Sequence, residues 1–218
     1  MLRLVAPPRR AYEQRIRAES AEETRTRILD AFHDLLRERP DGSISVDQVA
    51  KRARVARSTV YLAFGSRRGL FDGLTERLLS GEGFAQILAA VRDPDARVSL
   101  RGGIAGGVTM YTAEHEVLRV LNAMRTLDPG GAGEAVARVE ARRAEGMTRL
   151  ARRLNEQGLL RPGLTPERAA DVIWLFAGFD AFDALATGRG LDAADVTAIL
   201  VESAEHALLA DPSPRDGG

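Results

Sequence analysis

Between residues 54 and 71 the chain reads RVARSTVYLAFGSRRGLF. Arg57, Ser58, Thr59 and Tyr61 crowd into five positions, and each carries a side chain that donates or accepts hydrogen bonds. An arginine fork matches a planar pair of acceptors such as guanine O6 and N7, and Ser or Thr hydroxyls meet base edges or phosphates. A tyrosine packs its ring and donates its hydroxyl to a phosphate oxygen. Arg67 follows at a predicted helix start, where a cation and free backbone N–H groups can meet one phosphate. This is the chemistry of gripping a nucleic acid, with no bond made or broken.

Such side chains must be held outward by something rigid. Val55, Val60 and Phe64 are the apolar positions here, too few for a core helix but enough to hold a short one down at three points. Before it, SVDQVAKRA has Ser45 as N-cap and Gln48 three residues later, a capping box that fixes a helix start. Residues 54–56 form a short turn, and Gly65-Ser66 ends the second helix and caps the next. Helix, three-residue turn, short helix is helix-turn-helix spacing. In that arrangement the first helix braces the second, which presents its polar face to the major groove.

The composition fits. The chain has 218 residues, 44% of them hydrophobic, enough for one mid-sized domain or two small ones. It has no Cys, which excludes disulfides and thiolate metal sites and predicts a cytoplasmic setting. No apolar run approaches the ~20 residues that span a bilayer. Net charge is zero, but residues 1–80 carry 16 Lys+Arg against 11 Asp+Glu, and the remainder reverses that balance. Only the first part is expected to meet a polyanion.

Apolar residues recur at three and four throughout, so the predicted fold is all-α, with about nine helices. Residues 1–20, with Arg3, Arg9, Arg10, Arg15 and Arg17, read as a loose basic arm that turns helical near Tyr12. Helix one is expected over 21–39, ended by Pro40-Asp41-Gly42, and residues 21–66 form the helix-turn-helix domain. Residues 67–210 form a helical effector-binding and dimerisation domain, with helices near 67–79, 93–113 (N-cap Asp93, then Pro94), 116–127, 134–157, 165–188 and 192–209. DPGGAG (128–133) is expected as a loop and 211–218 as a disordered tail.

Residues 24–74, "TRTRILDAFHDLL…SISVDQVAKRARVARSTVYLAFGSRRGLFDGL", resemble the DNA-binding domain of the tetracycline-repressor (TetR) family of bacterial regulators. The resemblance implies an all-helical homodimer that binds a near-palindromic DNA operator, and a C-terminal domain that takes a small-molecule effector. It puts Arg57, Ser58 and Thr59 at base-contacting positions, and Tyr61 and Arg67 at phosphate-contacting ones. Arg25 and Ser45 fall where the starts of helices one and two touch the backbone. Arg54 stands where the family has a turn glycine, which predicts either a strained backbone or a different turn. Ala56 stands where it has a Ser or Thr cap, at a cost of roughly 1 kcal/mol.

Met110, Tyr111, Met124, Met147 and Trp174 are candidates to line an effector cavity, since such pockets are mostly apolar with a few polar tips; plain core is the competing reading. The glycines of RGGIAGGVTM (101–110) either admit a close neighbour or loosen the helix. The stretch 171–186 is apolar around most of its circumference and needs cover on two sides, so with 196–210 it is expected to form the dimer interface. His33, His115 and His206 lack metal-ligand spacing, and no catalytic constellation, cofactor motif or enzyme activity is indicated. The expected function is a dimeric regulator, most simply a repressor released by an effector. The alternatives are a constitutive regulator or activator, or a small-molecule-binding helical protein with a vestigial helix-turn-helix.

Overall fold

The computed structural model describes residues 9–39 and 44–210, with side chains from residue 19 onward except Thr126. Eleven α-helices form among them: α1 (Arg9–Glu38), α2 (Val46–Ala53), α3 (Arg57–Phe64), α4 (Arg67–Leu78), α5 (Glu82–Arg92), α6 (Ala96–Ala113), α7 (His115–Leu127), α8 (Glu134–Glu156), α9 (Pro166–Phe176), α10 (Phe179–Arg189) and α11 (Ala193–Leu208). Between α7 and α8 the chain makes one π-helical turn, Pro129–Gly133, where a loop was expected. An isolated antiparallel bridge, Leu160 to Leu209, ties the α8–α9 connection to the end of α11.

The all-α fold class holds, but the count of nine does not. α5 is additional: it starts at Gly81 with no side-chain cap and so announces itself weakly in the sequence. The helix expected over 165–188 divides at Gly178 into α9 and α10. Arg143 of α8 donates to the Trp174 carbonyl (2.9 Å), satisfying the orphaned end of α9. α6 is capped by Asp95, not Asp93: the Asp95 carboxylate accepts from the N–H groups of Arg97 and Val98. Asp93 instead accepts from the Asp95 N–H (2.9 Å), which turns the chain before the helix begins. The arm is helical from Arg9, three residues before the turn to helix expected near Tyr12, and α1 runs on without a break into the helix expected from residue 21. The Pro40-Asp41-Gly42 stop, Arg3 and the tail at 211–218 lie outside the described residues.

Two apolar cores form. The first joins Ile28, Phe32 and Leu36 of α1 to Val49 of α2, Val60 and Phe64 of α3, and Leu70, Phe71 and Leu74 of α4. Phe32 and Phe71 meet edge to face, 5.0 Å between centroids. This core continues into Val117, Val120, Leu121 and Met124 of α7. The second joins α6, α8, α9, α10 and α11 around Leu100, Ile104, Leu154, Ile173, Phe182 and Leu200. Leu118 of α7 packs against both. The α6–α7 bend links the same two regions through polar contacts. Glu114 meets His33 of α1 (2.7 Å), and the next residue, His115, meets Asp183 of α10 (2.6 Å).

The glycines of α6 serve close approach. α5 crosses α6 so tightly that a Cβ on Gly83 would stand 2.6 Å from the Gly106 carbonyl oxygen, and one on Gly106 would stand 2.8 Å from that of Gly83. A Cβ on Gly102 would stand 2.7 Å from that of Ala90.

Candidate nucleic-acid interface

The helix-turn-helix is built from local rules. Ser45 Oγ accepts from the Gln48 N–H (3.2 Å), and Gln48 Oε1 accepts from the Ser45 N–H (2.7 Å), which closes the capping box. Val46, Val49, Ala50 and Ala53 turn α2 inward. α2 ends at Arg54, whose φ of 55° and ψ of 46° are left-handed; the strained-backbone alternative is the one observed. The Val55 N–H then reaches the Ala50 carbonyl (3.0 Å). α3 starts at Ala56 with no side-chain cap, as the missing hydroxyl requires.

Val60 and Phe64 bury the inner side of α3, which leaves Arg57, Ser58 and Tyr61 exposed and Thr59 half-buried. Arg57 Nη1 donates to Asp47 Oδ2 (3.0 Å) and Nη2 to the Tyr61 hydroxyl (3.4 Å). The Tyr61 hydroxyl, then the Asp47 charge, hold the Arg57 guanidinium above its ordinary pKa, so it is permanently a cation. α4 begins at Ser66, whose Oγ accepts from the Gly69 N–H (3.0 Å). The Arg67 guanidinium lies over the Phe71 ring and pairs with Asp128. Burial works to raise the Asp128 carboxyl, but hydrogen bonds from Arg67 and from the Ala132 and Gly131 N–H groups hold it below the usual range.

Ser45, Arg57, Tyr61 and Arg67 line one shallow concavity of about 460 Å³, together with Ile44, Val46, Asp47 and Gln48. Four of the seven residues singled out for DNA therefore converge on one surface. Ser58 and Thr59 continue it along α3. Arg25 does not line the concavity. Its Nη1 donates to the Ala63 carbonyl (2.8 Å) and its guanidinium lies 4.3 Å from the Phe64 ring centroid, so it bolts α1 to the end of α3. Asp47 went unrecognised in the sequence. An acidic residue is a poor signal for a polyanion site, and its link to Arg57 crosses the turn at ten residues, no helical repeat.

The candidate effector residues divide. Tyr111 is buried, its hydroxyl donates to the Ala177 carbonyl (2.9 Å), and its ring meets Phe179 and Phe182 at 5.5 and 5.6 Å. Burial raises its hydroxyl pKa to about 12. Met110 and Met147 pack against the same core. Met124 belongs to the other core, beside α1 and α4, because α7 turns that face toward the helix-turn-helix. Trp174 is 41% exposed, with Arg143 lying 4.7 Å from its ring centroid. Among the described residues no group of three or more His, Cys, Asp or Glu side chains is placed to hold a metal ion, and no helix is long and apolar enough to cross a membrane.

A family model of bacterial regulatory proteins, the tetR family, matches residues 28–74. The HTH-type transcriptional regulator AlkX of Mycobacterium tuberculosis is 44% identical over 54 residues, 25% of this chain and 26% of that one. The chain thus matches only about a quarter of that relative's length. Two solved structures share the fold over nearly the whole chain. NalD, the secondary repressor of the MexAB-OprM multidrug efflux pump in Pseudomonas aeruginosa, superposes with a TM-score of 0.69 at 24% identity, over 88% of this chain and 99% of that one. SmeT, repressor of the Stenotrophomonas maltophilia multidrug efflux pump SmeDEF, gives 0.66 at 17% identity, over 89% and 94%. Residues 28–74 thus match a tetR-family segment, and the course of the backbone is the fold of these two solved structures.

Proposed function

We propose that this protein regulates transcription by binding a near-palindromic DNA operator as a homodimer, and that a small molecule held by its C-terminal helices releases it. The observation that carries the reading is the convergence of Ser45, Arg57, Tyr61 and Arg67 on one exposed surface beside α3. Arg57 would read a base edge, Tyr61 and Arg67 would hold phosphates, and the α2 start at Ser45 would rest on the backbone. Residues 21–66 would act as the reading unit and 67–210 as the sensing and pairing unit. Pairing through α9–α11 is supported by the exposure of Trp174, Leu175 and Ile199 on those helices. Two-fold symmetry in the protein would impose two-fold symmetry on the operator.

Release would follow differential affinity. A ligand that favours one spacing of the two α3 helices shifts the population toward it and lowers operator affinity by that difference. Repression agrees with the roles of NalD and SmeT, each a repressor of a multidrug efflux pump. The test is selection of duplexes from a random pool with the purified full-length protein, then binding against salt. A two-fold symmetric motif, with affinity falling steeply as salt rises, is expected. Recovery of no motif, with no duplex binding at low salt, overturns the reading.

A further inference from the structure

Leu62 is 88% exposed, the most exposed of the large apolar side chains among the described residues. It lies on α3, one turn beyond Ser58 and Thr59, so its side chain shares their surface. The inner face of α3 is already supplied by Val60 and Phe64. Lone exposed leucines are common and need no explanation elsewhere. This one lies on the eight-residue helix that also carries Arg57, Ser58 and Tyr61 outward, where every other function is polar. A major groove offers one apolar group to a protein, the C5-methyl of thymine.

We propose that Leu62 is a specificity-determining residue that packs on a thymine methyl in each operator half-site. The proposal rests on the DNA-binding reading above and adds a base identity to it. The half-site then carries a thymine whose methyl Leu62 covers, next to the groups met by Ser58 and Thr59 on the same face of α3.

The test uses the full-length protein and the duplex it selects. Each thymine is replaced in turn by deoxyuridine, which keeps its base pairing and lacks the methyl. Loss of one buried methyl is expected to weaken binding about three- to fivefold at a single position per half-site. Replacement in both half-sites should cost roughly tenfold or more, because distant sites add. Leu62→Ala should bind the thymine and uracil duplexes equally while melting as the wild type does. Uracil substitution without effect at every position overturns the proposal and leaves the DNA-binding reading standing. So does a Leu62→Ala variant that still discriminates. Failure to select any duplex sinks both.

Discussion

Replacing Arg57 with Ala tests the reading head at its most informative point. Arg57 and Asp47 have side chains 59% and 64% exposed, and an exposed pair contributes little to folding, so the variant should melt as the wild type does. On DNA the effect has two parts. Loss of a bidentate base contact should weaken binding roughly five- to a hundredfold and relax selectivity at one guanine. The second part comes from Asp47, whose carboxylate lies 3.0 Å from Arg57 Nη1 and is left uncompensated on the surface proposed to meet phosphates. At roughly 6 Å in a water-like dielectric, one such repulsion is worth about a further threefold. Arg57→Ala/Asp47→Ala should therefore bind about threefold tighter than Arg57→Ala alone, with the gain shrinking as salt rises. Fluorescence anisotropy with the selected duplex, at two salt concentrations, reads all four proteins of the cycle. Unchanged affinity for Arg57→Ala refutes the base contact. A double variant no tighter than the single one refutes the role assigned to Asp47.

Three further outcomes follow from the fold. Ser45→Ala removes the hydroxyl that caps α2 and should cost about 1 kcal/mol, a fall in Tm of roughly 2–4 °C, with Ser45→Thr restoring most of it. Arg54→Gly should raise Tm by roughly 1–4 °C, since relief of about 1–2 kcal/mol of left-handed strain exceeds the ~0.5–1 kcal/mol that glycine's freer unfolded chain costs; a lower Tm would contradict the strain. Asp183 gives a pH dependence. Burial alone would raise its carboxyl, but hydrogen bonds from Thr187 and His115 and the nearby Arg119 charge hold it below the usual value. A depressed folded pKa gives stability that is present above the unfolded value near 3.9 and lost as pH falls through the folded one. The Tm deficit of Asp183→Asn should therefore be full at neutral pH and shrink below about pH 4, as thermal melts across pH 7 to 2.5 would show; a constant deficit would refute the linkage.

The reading head was legible because its determinants are local. Ser45 with Gln48, Gly65 with Ser66, and the spacing of Val60 and Phe64 each act within one helix turn, and each appears as expected. Arg54 posed a choice that only the backbone could decide. What escaped were the partners at long separation. Arg67 with Asp128 spans 61 positions and His33 with Glu114 spans 81, and no periodicity reports such pairs. Met124 shows the same limit: its spacing says that it faces inward, but not toward which of two cores. The break at Gly178 was hidden because an apolar run reads alike whether one helix or two carry it. Its stabilising bond comes from Arg143, on a different helix.

The crossing of α5 over α6 limits how this sequence can change over time. A methyl at position 83 would meet the backbone of Gly106 and Met110, and one at 106 would meet that of Gly83 and Ile87. Backbone does not yield as a side-chain tip does, so no single replacement at either position is silent. A lineage could leave this state only by moving the two helices apart, and a compensating change on the facing helix cannot help when that residue is already the smallest one. Descendants of this chain should therefore keep both glycines while the rest of α5 varies, or lose the crossing altogether.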